Sequence, residues 1–220
     1  KQVNDRSREI GYTSISHDLI FGLPFQTEES IRDTIKKTIE LKPDRIAYYS
    51  YAHVPWIKGV GQRGFDEKDL PEDAEKRFLY ELGKQLFFDN GYVEIGMDHF
   101  ALPSDSLSLA MGSNELHRNF MGYTAGKTQL MIGLGMSSIS DSWYAFAQNE
   151  KHVEDYQERV NKGEIPIFRG HLLTDTDLTI RKHILDLMCN LETTFNDDLS
   201  KEVKNEIINQ LAEIKKDGFL

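Results

Sequence analysis

The chain has 220 residues, of which 39% are hydrophobic and 28% charged, a composition typical of a globular protein and not of a disordered one. Its net charge of −10 disfavours nucleic acid and anionic membranes as partners, and its single cysteine, Cys189, excludes an intrachain disulfide or a metal site built from several cysteines of this chain. No stretch reaches the roughly 18 apolar residues of a membrane span and the first residues lack a signal sequence, so we expect a cytoplasmic protein.

The first quarter of the chain predicts a strand, a helix and a second strand. Residues 13–24, TSISHDLIFGLP, form an apolar run typical of a buried strand. Thr27 is a suitable helix cap, and isoleucines at every fourth position predict an amphipathic helix over residues 28–41. Residues 45–55 predict the second strand. Strands joined in this way are parallel, and ligands bind at the carboxyl ends of such strands.

The remaining elements follow a polar connector over residues 56–70. Residues 71–90 predict a helix with its apolar side chains on one side, and beyond Trp143 the apolar spacing predicts three further helices. Between them, we expect strands at residues 92–100, 116–123 and 130–140 and a loop at residues 103–113.

Two segments combine histidine, arginine and acidic side chains with aromatic rings, namely MDHFA at residues 97–101 and HRNFMGYT at residues 117–124. These residue types suit a metal site, an acid–base pair, an anion pocket or the polar edge of a sheet. The seven histidines lack the spacing of a zinc site on a helix, so we expect no metal bound by this chain alone. Arginine and histidine beside rings suit a planar anion. The residues concerned are Asp98, His99, His117, Arg118 and Asn119.

Two other features leave alternatives open. Asp18 lies within an apolar run, where an acid is either held in an ion pair or faces a ligand at the end of a strand. The segment Gly133-Leu134-Gly135 resembles part of a phosphate-binding loop. It lacks the third glycine and the following helix, so close backbone packing is the simpler prediction.

Four segments are more specific when they are taken together with their separations. They read DLIFGLPFQTEESIRDTIKKTIELKPDRIAYYSYAHVPW, IGMDHFALP, ELHRNFMGYT and LGMSSIS. In this combination they resemble the oxygen-independent coproporphyrinogen III oxidases, radical S-adenosylmethionine enzymes of haem biosynthesis, and the likeness runs from Asp18 to the terminal KKDGFL. The family's CxxxCxxC motif, which holds a 4Fe–4S cluster, is absent. We therefore expect a C-terminal fragment that is inactive by itself.

The resemblance implies an α/β fold in three parts. Residues 1–56 would be the last βαβ strands of an incomplete radical-enzyme (β/α) barrel, and residues 57–145 the connector, a helix and strands that form a pocket. Residues 146–220 would be a truncated helical C-terminal domain. The full-length protein is expected to be a monomer.

The chemistry is likewise implied by the resemblance. In the family, a 5′-deoxyadenosyl radical takes a hydrogen from a propionate side chain, and loss of carbon dioxide leaves a vinyl group. Two such steps convert coproporphyrinogen III to protoporphyrinogen IX. The full-length enzyme would bind two molecules of S-adenosylmethionine and a 4Fe–4S cluster, and would take electrons from a donor such as flavodoxin or ferredoxin.

Individual site residues follow from their places in the matching motifs. Asp18 and Ala52 match residues that contact the second S-adenosylmethionine, and Ile139 matches one that lines the first. LGMSSIS differs from the LGxGPGAHS pattern of related members, which favours the oxidases over the haem chaperones. A haem-binding chaperone and a non-catalytic interaction domain remain the alternatives. From their chemistry and location we assign four residues to a substrate pocket: His99, His117, Arg118 and Asn119.

Overall fold

The computed structural model describes residues 1–54, 56, 64–195, 199–216 and 218. They form two compact units, residues 1–115 and residues 116–220. The predicted connector over residues 56–70 and the terminal KKDGFL lie partly outside the described residues. The predicted division into three parts at residues 56 and 145 stays a prediction.

The first unit contains a four-stranded mixed sheet. Its strands are β1 (Ser16–Phe21), β2 (Arg45–Ser50), β3 (Val93–Gly96) and β4 (His99–Ala101), in the order β1-β2-β4-β3. β1 and β2 are parallel, which confirms the predicted strand–helix–strand unit, and the other pairs are antiparallel. The single strand predicted at residues 92–100 is wrong, because the chain reverses at Met97 and Asp98, whose φ angles are 20° and 63°.

Among the described residues of the first unit, four α-helices accompany this sheet, and side-chain caps mark the start of two of them. Thr27 accepts a hydrogen bond from the Ser30 amide, which confirms the predicted cap. The loop predicted at residues 103–113 is wrong, because the Asp105 carboxylate accepts the Leu107 amide at 2.8 Å and starts a helix there. The helices are α1 (Gln2–Glu9), α2 (Glu28–Glu40), α3 (Asp73–Asp89) and α4 (Ser106–Gly112), with a short 3-10 helix at Glu67–Asp69.

The core of the first unit lies between the sheet and helices α2 and α3. Along β1, Leu19 and Phe21 pack against the helices, whereas Asp18 and Ile20 lie on the opposite face, where Tyr49 of β2 is also exposed and Ala47 is buried. The prediction of a fully buried first strand is therefore wrong, since Asp18 and Ile20 are exposed. The buried cluster consists of Phe21, Ile31, Ile35, Ile46, Tyr48, Leu79, Phe87, Tyr92 and Phe100.

The second unit combines two small sheets with helices. A hairpin of β5 (His117–Asn119) and β6 (Gly122–Thr124) replaces the single strand predicted at residues 116–123. An antiparallel sheet has the order β10-β9-β8-β7, and its strands are β7 (Leu130–Met131), β8 (Ile139–Ser142), β9 (Ala145–Asn149) and β10 (Ile167–Leu172). The strand predicted at residues 130–140 is thus two separate short strands.

The predicted helices beyond Trp143 are present as α5 (Val153–Asn161), α6 (Asp175–Asn190) and α7 (Lys201–Gln210), followed by α8 (Ala212–Lys216). Two strands that the sequence did not predict, β9 and β10, pair with each other in the same region. No helix in the described ranges has both the length and the apolar composition that a membrane crossing requires.

Candidate functional site

One face of the sheet in the first unit carries two of the predicted site residues. Asp18 is paired with Ala47 of β2, and Ala47 is paired with His99 of β4. Asp18 and His99 therefore lie in one row on the same face, two strands and roughly 10 Å apart. We call the side chains of Asp18, Ile20, Tyr49 and His99 the open face, because the helices α2 and α3 pack against the opposite side of the sheet.

Asp18 is exposed, and its carboxylate forms no hydrogen bond or ion pair with the residues that the structure describes. The structural ion pair that the sequence left open is thus not observed. A carboxylate at this position is free to accept hydrogen bonds from the amino or hydroxyl groups of a ligand.

His99 is oriented by two hydrogen bonds. Its Nδ1 lies 2.7 Å from the Met97 carbonyl oxygen, which can only accept, so Nδ1 carries the proton. The Tyr49 hydroxyl lies 3.3 Å from Nε2, and the two rings meet edge to face. The reversal at Met97 and Asp98 is what brings the carbonyl of Met97 to this ring. His99 thus presents an imidazole in a fixed orientation on the open face.

The surroundings of this reversal disfavour further negative charge. Burial raises the pKa of Asp98, the neighbouring His99 opposes that shift, and Glu94 adds to it. Burial, together with Glu94 and Asp98, raises the pKa of Tyr80 to about 12. The Tyr80 hydroxyl therefore stays protonated at neutral pH.

The carboxyl ends of β1 and β2 are each fixed by a side chain that bonds to a main-chain atom. Lys76 Nζ donates to the Tyr51 carbonyl at 2.8 Å, and Gln26 Oε1 accepts the Gly22 amide at 2.6 Å. Gly22 has a φ of 80°, a left-handed conformation that favours glycine, and a Cβ there would lie 2.6 Å from Cε of the flexible Lys76 side chain. Ala52, the residue after Tyr51, is exposed.

In the second unit, a buried amide fixes the segment before Ile139. Asn149 is 7% exposed, and its Nδ2 donates to the carbonyls of Gly133 and Gly135 at 3.1 and 3.0 Å. A Cβ at Gly133 would lie 2.7 Å from the Ile139 carbonyl oxygen. Gly133 therefore serves close backbone packing, as predicted, whereas Gly135 has a φ of 97° and a Cβ there would meet no atom within 4 Å.

The second unit also contains a cavity of about 440 Å³, which we call the Arg118 cavity. Arg118 and Asn119 line it, whereas His117 is buried and does not. Burial, Arg181 and Lys127 lower the pKa of His117, and Asp141 opposes them. Its other lining residues are Phe120, Asp141, Phe146, His171, Leu173, Asp177, Ile180, Arg181, Ile184, Leu185 and Met188.

Arg118 has unusual surroundings within this cavity. Its Nη1 is buried and has no hydrogen-bond partner among the described residues. The guanidinium lies 4.7 Å from the centre of the Tyr123 ring, and the Tyr123 hydroxyl donates to the Met188 carbonyl at 2.8 Å. The ring beneath the arginine is therefore fixed by α6.

The described side chains limit which cofactors the chain could bind. No group of three or more metal-ligating side chains occurs in the part of the chain that the structure describes, and one cysteine cannot hold a 4Fe–4S cluster. The open face does fit S-adenosylmethionine, since the Asp18 carboxylate can accept hydrogen bonds from its amino and ribose hydroxyl groups.

No protein-family model matches the chain. The oxygen-independent coproporphyrinogen III oxidase of Thermostichus vulcanus is 39% identical to it over 227 residues, which cover the whole chain and 69% of that protein. The chain belongs to the oxygen-independent coproporphyrinogen III oxidase family. This confirms the resemblance seen in the sequence.

Other members of the oxidase family extend beyond the matched region. The oxidase of Synechocystis is 37% identical, and the match covers the whole chain and 49% of that protein. Anaerobic coproporphyrinogen III oxidase 1 of Cereibacter sphaeroides is 41% identical over 83% of the chain and 40% of that protein. The chain therefore spans about half or less of the length of these relatives.

A solved structure of the same family matches the mixed α/β fold. It is coproporphyrinogen III oxidase from Escherichia coli, described as a radical SAM enzyme. The TM-score is 0.91 at 37% identity, and the match covers 99% of this chain and 51% of that one.

The predicted site residues are distributed over both units. Asp18, Ala52 and His99 belong to the first unit. The second unit contains Ile139, His117, Arg118 and Asn119. That all seven act on one oxidase site stays a prediction.

Sequence reasoning missed several residues that orient these side chains. Tyr49 could have been found from the register, because it lies two residues after Ala47 and so shares its face of the sheet. Nothing in the local sequence distinguishes Asn149 or Tyr123, whose partners lie far away in the chain.

Proposed function

We propose that the protein to which this chain belongs is an anaerobic coproporphyrinogen III dehydrogenase, and that the chain forms its C-terminal part. The reaction is the oxidative decarboxylation of two propionate side chains to vinyl groups, which gives protoporphyrinogen IX. The proposal rests above all on the match over 99% of the chain, at 37% identity and a TM-score of 0.91, to a coproporphyrinogen III oxidase that is a radical SAM enzyme.

In this proposal the first unit supplies the last βαβ strands of an incomplete barrel. β1, α2 and β2 have the parallel arrangement that such a barrel requires, and the open face carries the polar side chains. Residues 146–220, with their helices, would form the C-terminal domain. The cysteines of the 4Fe–4S cluster would come from residues outside this chain, and an external donor such as flavodoxin or ferredoxin would supply electrons.

Three residues would contact S-adenosylmethionine. Asp18 would accept hydrogen bonds from one of the two molecules, with Ala52 beside it at the end of β2, while Ile139 would pack against the other. When bound, S-adenosylmethionine supplies the radical that removes hydrogen from the substrate. The residues of this chain bind, orient and exclude water, since a radical reaction depends on placement of the reacting carbon more than on proton transfer.

His99 would contribute to substrate orientation. Its imidazole and the Tyr49 hydroxyl form a polar pair on the open face, where His99 lies in the same row as Asp18. A polar group of coproporphyrinogen III could be held there by hydrogen bonds to this pair. The second unit would contribute three residues to the substrate pocket, namely His117, Arg118 and Asn119.

The test uses the protein expressed with every residue that its gene encodes and reconstituted anaerobically. We expect a 4Fe–4S absorption spectrum, formation of 5′-deoxyadenosine and conversion of coproporphyrinogen III. Asp18→Asn should keep the iron content and lower turnover about tenfold or more, because a charge-assisted hydrogen bond is lost. Asp33→Asn, which changes an exposed acid of α2, is the matched control and should leave turnover unchanged.

Three results would count against the proposal. Absence of the cluster, or of S-adenosylmethionine cleavage, would contradict it directly. A protein that cleaves S-adenosylmethionine, converts no coproporphyrinogen and binds haem tightly would be a haem chaperone. A protein with none of these properties would be an interaction domain.

A further inference from the structure

We infer that the Arg118 cavity is a binding site for a carboxylate carried on an apolar ring body, with Arg118 as the group that binds the carboxylate. The inference deepens the proposed function and rests on it for the natural ligand, since the propionate arms of coproporphyrinogen III have this chemistry. The site lies wholly within the second unit.

Arg118 differs from every other arginine of its unit. Arg159 bonds to Glu150 at 2.9 Å, Arg169 to Gln148 at 3.0 Å and Arg181 to Asp141 at 2.9 Å. Arg118 forms no hydrogen bond or ion pair with any residue that the structure describes, although its Nη1 is buried. Leaving a buried guanidinium nitrogen without a hydrogen-bond partner is unfavourable, so an arginine in this state is suited to an anion from outside the chain.

The walls of the Arg118 cavity suit an apolar body. Phe120 and Phe146 meet edge to face at 4.9 Å, and Ile180, Ile184 and Met188 face the cavity from α6. Its volume of about 440 Å³ falls within the range of about 300–1,000 Å³ typical of small-molecule sites. Rings and aliphatic side chains would contact one edge of a ring ligand while its arm reaches the guanidinium.

The other charged groups of the cavity already have partners within the unit. Arg181 is held by Asp141 and by the Ser142 carbonyl, at 2.9 and 2.8 Å, and its guanidinium lies over Phe146. Asp177 accepts hydrogen bonds from the amide and hydroxyl of Thr174 at the start of α6, and it lies 3.1 Å from His171 Nε2. Among the described residues that line the cavity, Arg118 remains the arginine without a counter-ion.

Arg118 is also held in a fixed orientation. Its guanidinium lies over the Tyr123 ring, and the Tyr123 hydroxyl is bonded to α6 through the Met188 carbonyl. A planar guanidinium fixed in this way binds a carboxylate through two parallel hydrogen bonds with little loss of side-chain freedom. Lysine, with a compact and flexible charge, would not reproduce this geometry.

The test measures binding of coproporphyrin III, the stable fluorescent porphyrin with the same propionates, to the protein expressed from its complete gene. Arg118→Leu should weaken binding by about tenfold to a hundredfold, the loss of a charge-assisted contact. Arg118→Lys should recover only part of that loss. Arg169→Leu is the matched control, since this arginine belongs to the same unit and does not line the cavity, and its affinity should equal that of the unaltered protein.

A second pair of variants tests the walls. Phe120 and Phe168 are both 53% exposed, but only Phe120 lines the cavity. Phe120→Ala should weaken coproporphyrin III binding severalfold, whereas Phe168→Ala should not. Since both rings are half in solvent, neither change should prevent folding, which circular dichroism will verify.

The unaltered protein supplies a further measurement that no folding defect can affect. The tetramethyl ester of coproporphyrin III has the same ring and no charge, and it should bind at least about tenfold more weakly. Equal affinity for the acid and the ester, equal affinity in Arg118→Leu, or no binding of coproporphyrin III at all would each overturn the inference.

Failure of the cavity and failure of the proposed function give different results. Cluster content and 5′-deoxyadenosine formation are measured on the same preparations. If the protein holds no cluster but its affinity for coproporphyrin III still depends on Arg118, the carboxylate site stands and the proposed function is contradicted. If the protein makes protoporphyrinogen IX but Arg118→Leu leaves its affinity for coproporphyrin III unchanged, the proposed function stands and the carboxylate site is contradicted.

Discussion

The two units differ in the interactions that stabilise each of them internally. In the first unit, buried aromatic and aliphatic side chains form a continuous core between the sheet and two helices. In the second unit, Leu116 and Tyr123 are the buried apolar residues among those that the structure describes, and the other buried positions are polar. These polar positions are His117, Asp141, Asn149 and His183.

This difference teaches where each unit is sensitive to change. Apolar packing in the first unit is spread over many contacts, and it fails when volume is added or removed. The second unit depends on a few buried hydrogen bonds, each of which is costly to break because its partner is left unsatisfied. Four changes, from the largest expected effect to the smallest, test this contrast.

Gly83→Ala should have the largest effect. A Cβ at Gly83 would lie 2.4 Å from Tyr48 Cε1, and Tyr48 is 1% exposed with its hydroxyl bonded to the Leu79 carbonyl. The ring cannot move aside, so the free energy of unfolding should fall by about 3 kcal/mol or more, measured by urea denaturation. Gly112→Ala is the control, because a Cβ there meets no atom within 4 Å. A loss below that of the control would contradict a tightly packed first unit.

Asn149→Leu should have the second largest effect, and it should act on the second unit. The change removes three hydrogen bonds from Nδ2 and leaves the carbonyls of Gly133 and Gly135 without that donor. We expect a loss of about 2–3 kcal/mol, seen as faster amide hydrogen exchange in residues 116–195 while the first unit keeps its protection. Asn161→Leu, at an exposed position of α5, should change neither. Faster exchange in both units to the same degree would refute separate stabilisation.

Tyr123→Phe should have a smaller effect on stability. It keeps the ring beneath Arg118 and removes the hydroxyl that donates to the Met188 carbonyl. The expected loss in the free energy of unfolding is about 1 kcal/mol, the value of one hydrogen bond. Tyr144→Phe, where the side chain is exposed, serves as the control in the same denaturation experiment. An unchanged free energy of unfolding in Tyr123→Phe would show that this hydrogen bond does not stabilise the unit.

The pH dependence from His117 should be the smallest effect. Burial lowers the pKa of His117 in the folded state, so below about 6.5 the unfolded chain binds a proton that the folded chain does not. The contribution of His117 to stability is therefore present above pH 6.5 and is lost as the pH falls from there through the folded pKa. The slope should stay below about 1.4 kcal/mol per pH unit. His117→Gln should reduce the pH dependence of the urea denaturation midpoint between pH 6.5 and 5. His152→Gln, at an exposed site, should leave that pH dependence unchanged.

The sequence predicted the first unit better than the second for physical reasons. Ile31 and Ile35 repeat with the helical period and bury one face of α2, so local pattern and packing agree. β10 has no such pattern, because all six of its residues are exposed and its backbone pairing with β9 defines it. The reversal at Met97 and Asp98 was missed because neither residue is the glycine that usually announces a tight hairpin turn.

For the candidate site, the motifs indicated which side chains to consider but not how they are arranged. Asp18 and His99 are 81 positions apart by their numbers, and only strand order and register bring them to one face. The absence of a partner for Arg118 depends on every side chain around it, and no local pattern encodes that.

The buried Nη1 of Arg118, which has no hydrogen-bond partner among the described residues, sets stability against ligand recognition. A neutral side chain of similar bulk would relieve the desolvation of its Nη1, so substitutions such as Arg118→Met should raise the midpoint of thermal unfolding even as they abolish recognition of the carboxylate. Selection for stability alone would remove this arginine. In a library screened first for heat resistance and then for binding, position 118 should therefore drift away from arginine in the first round and return to it in the second.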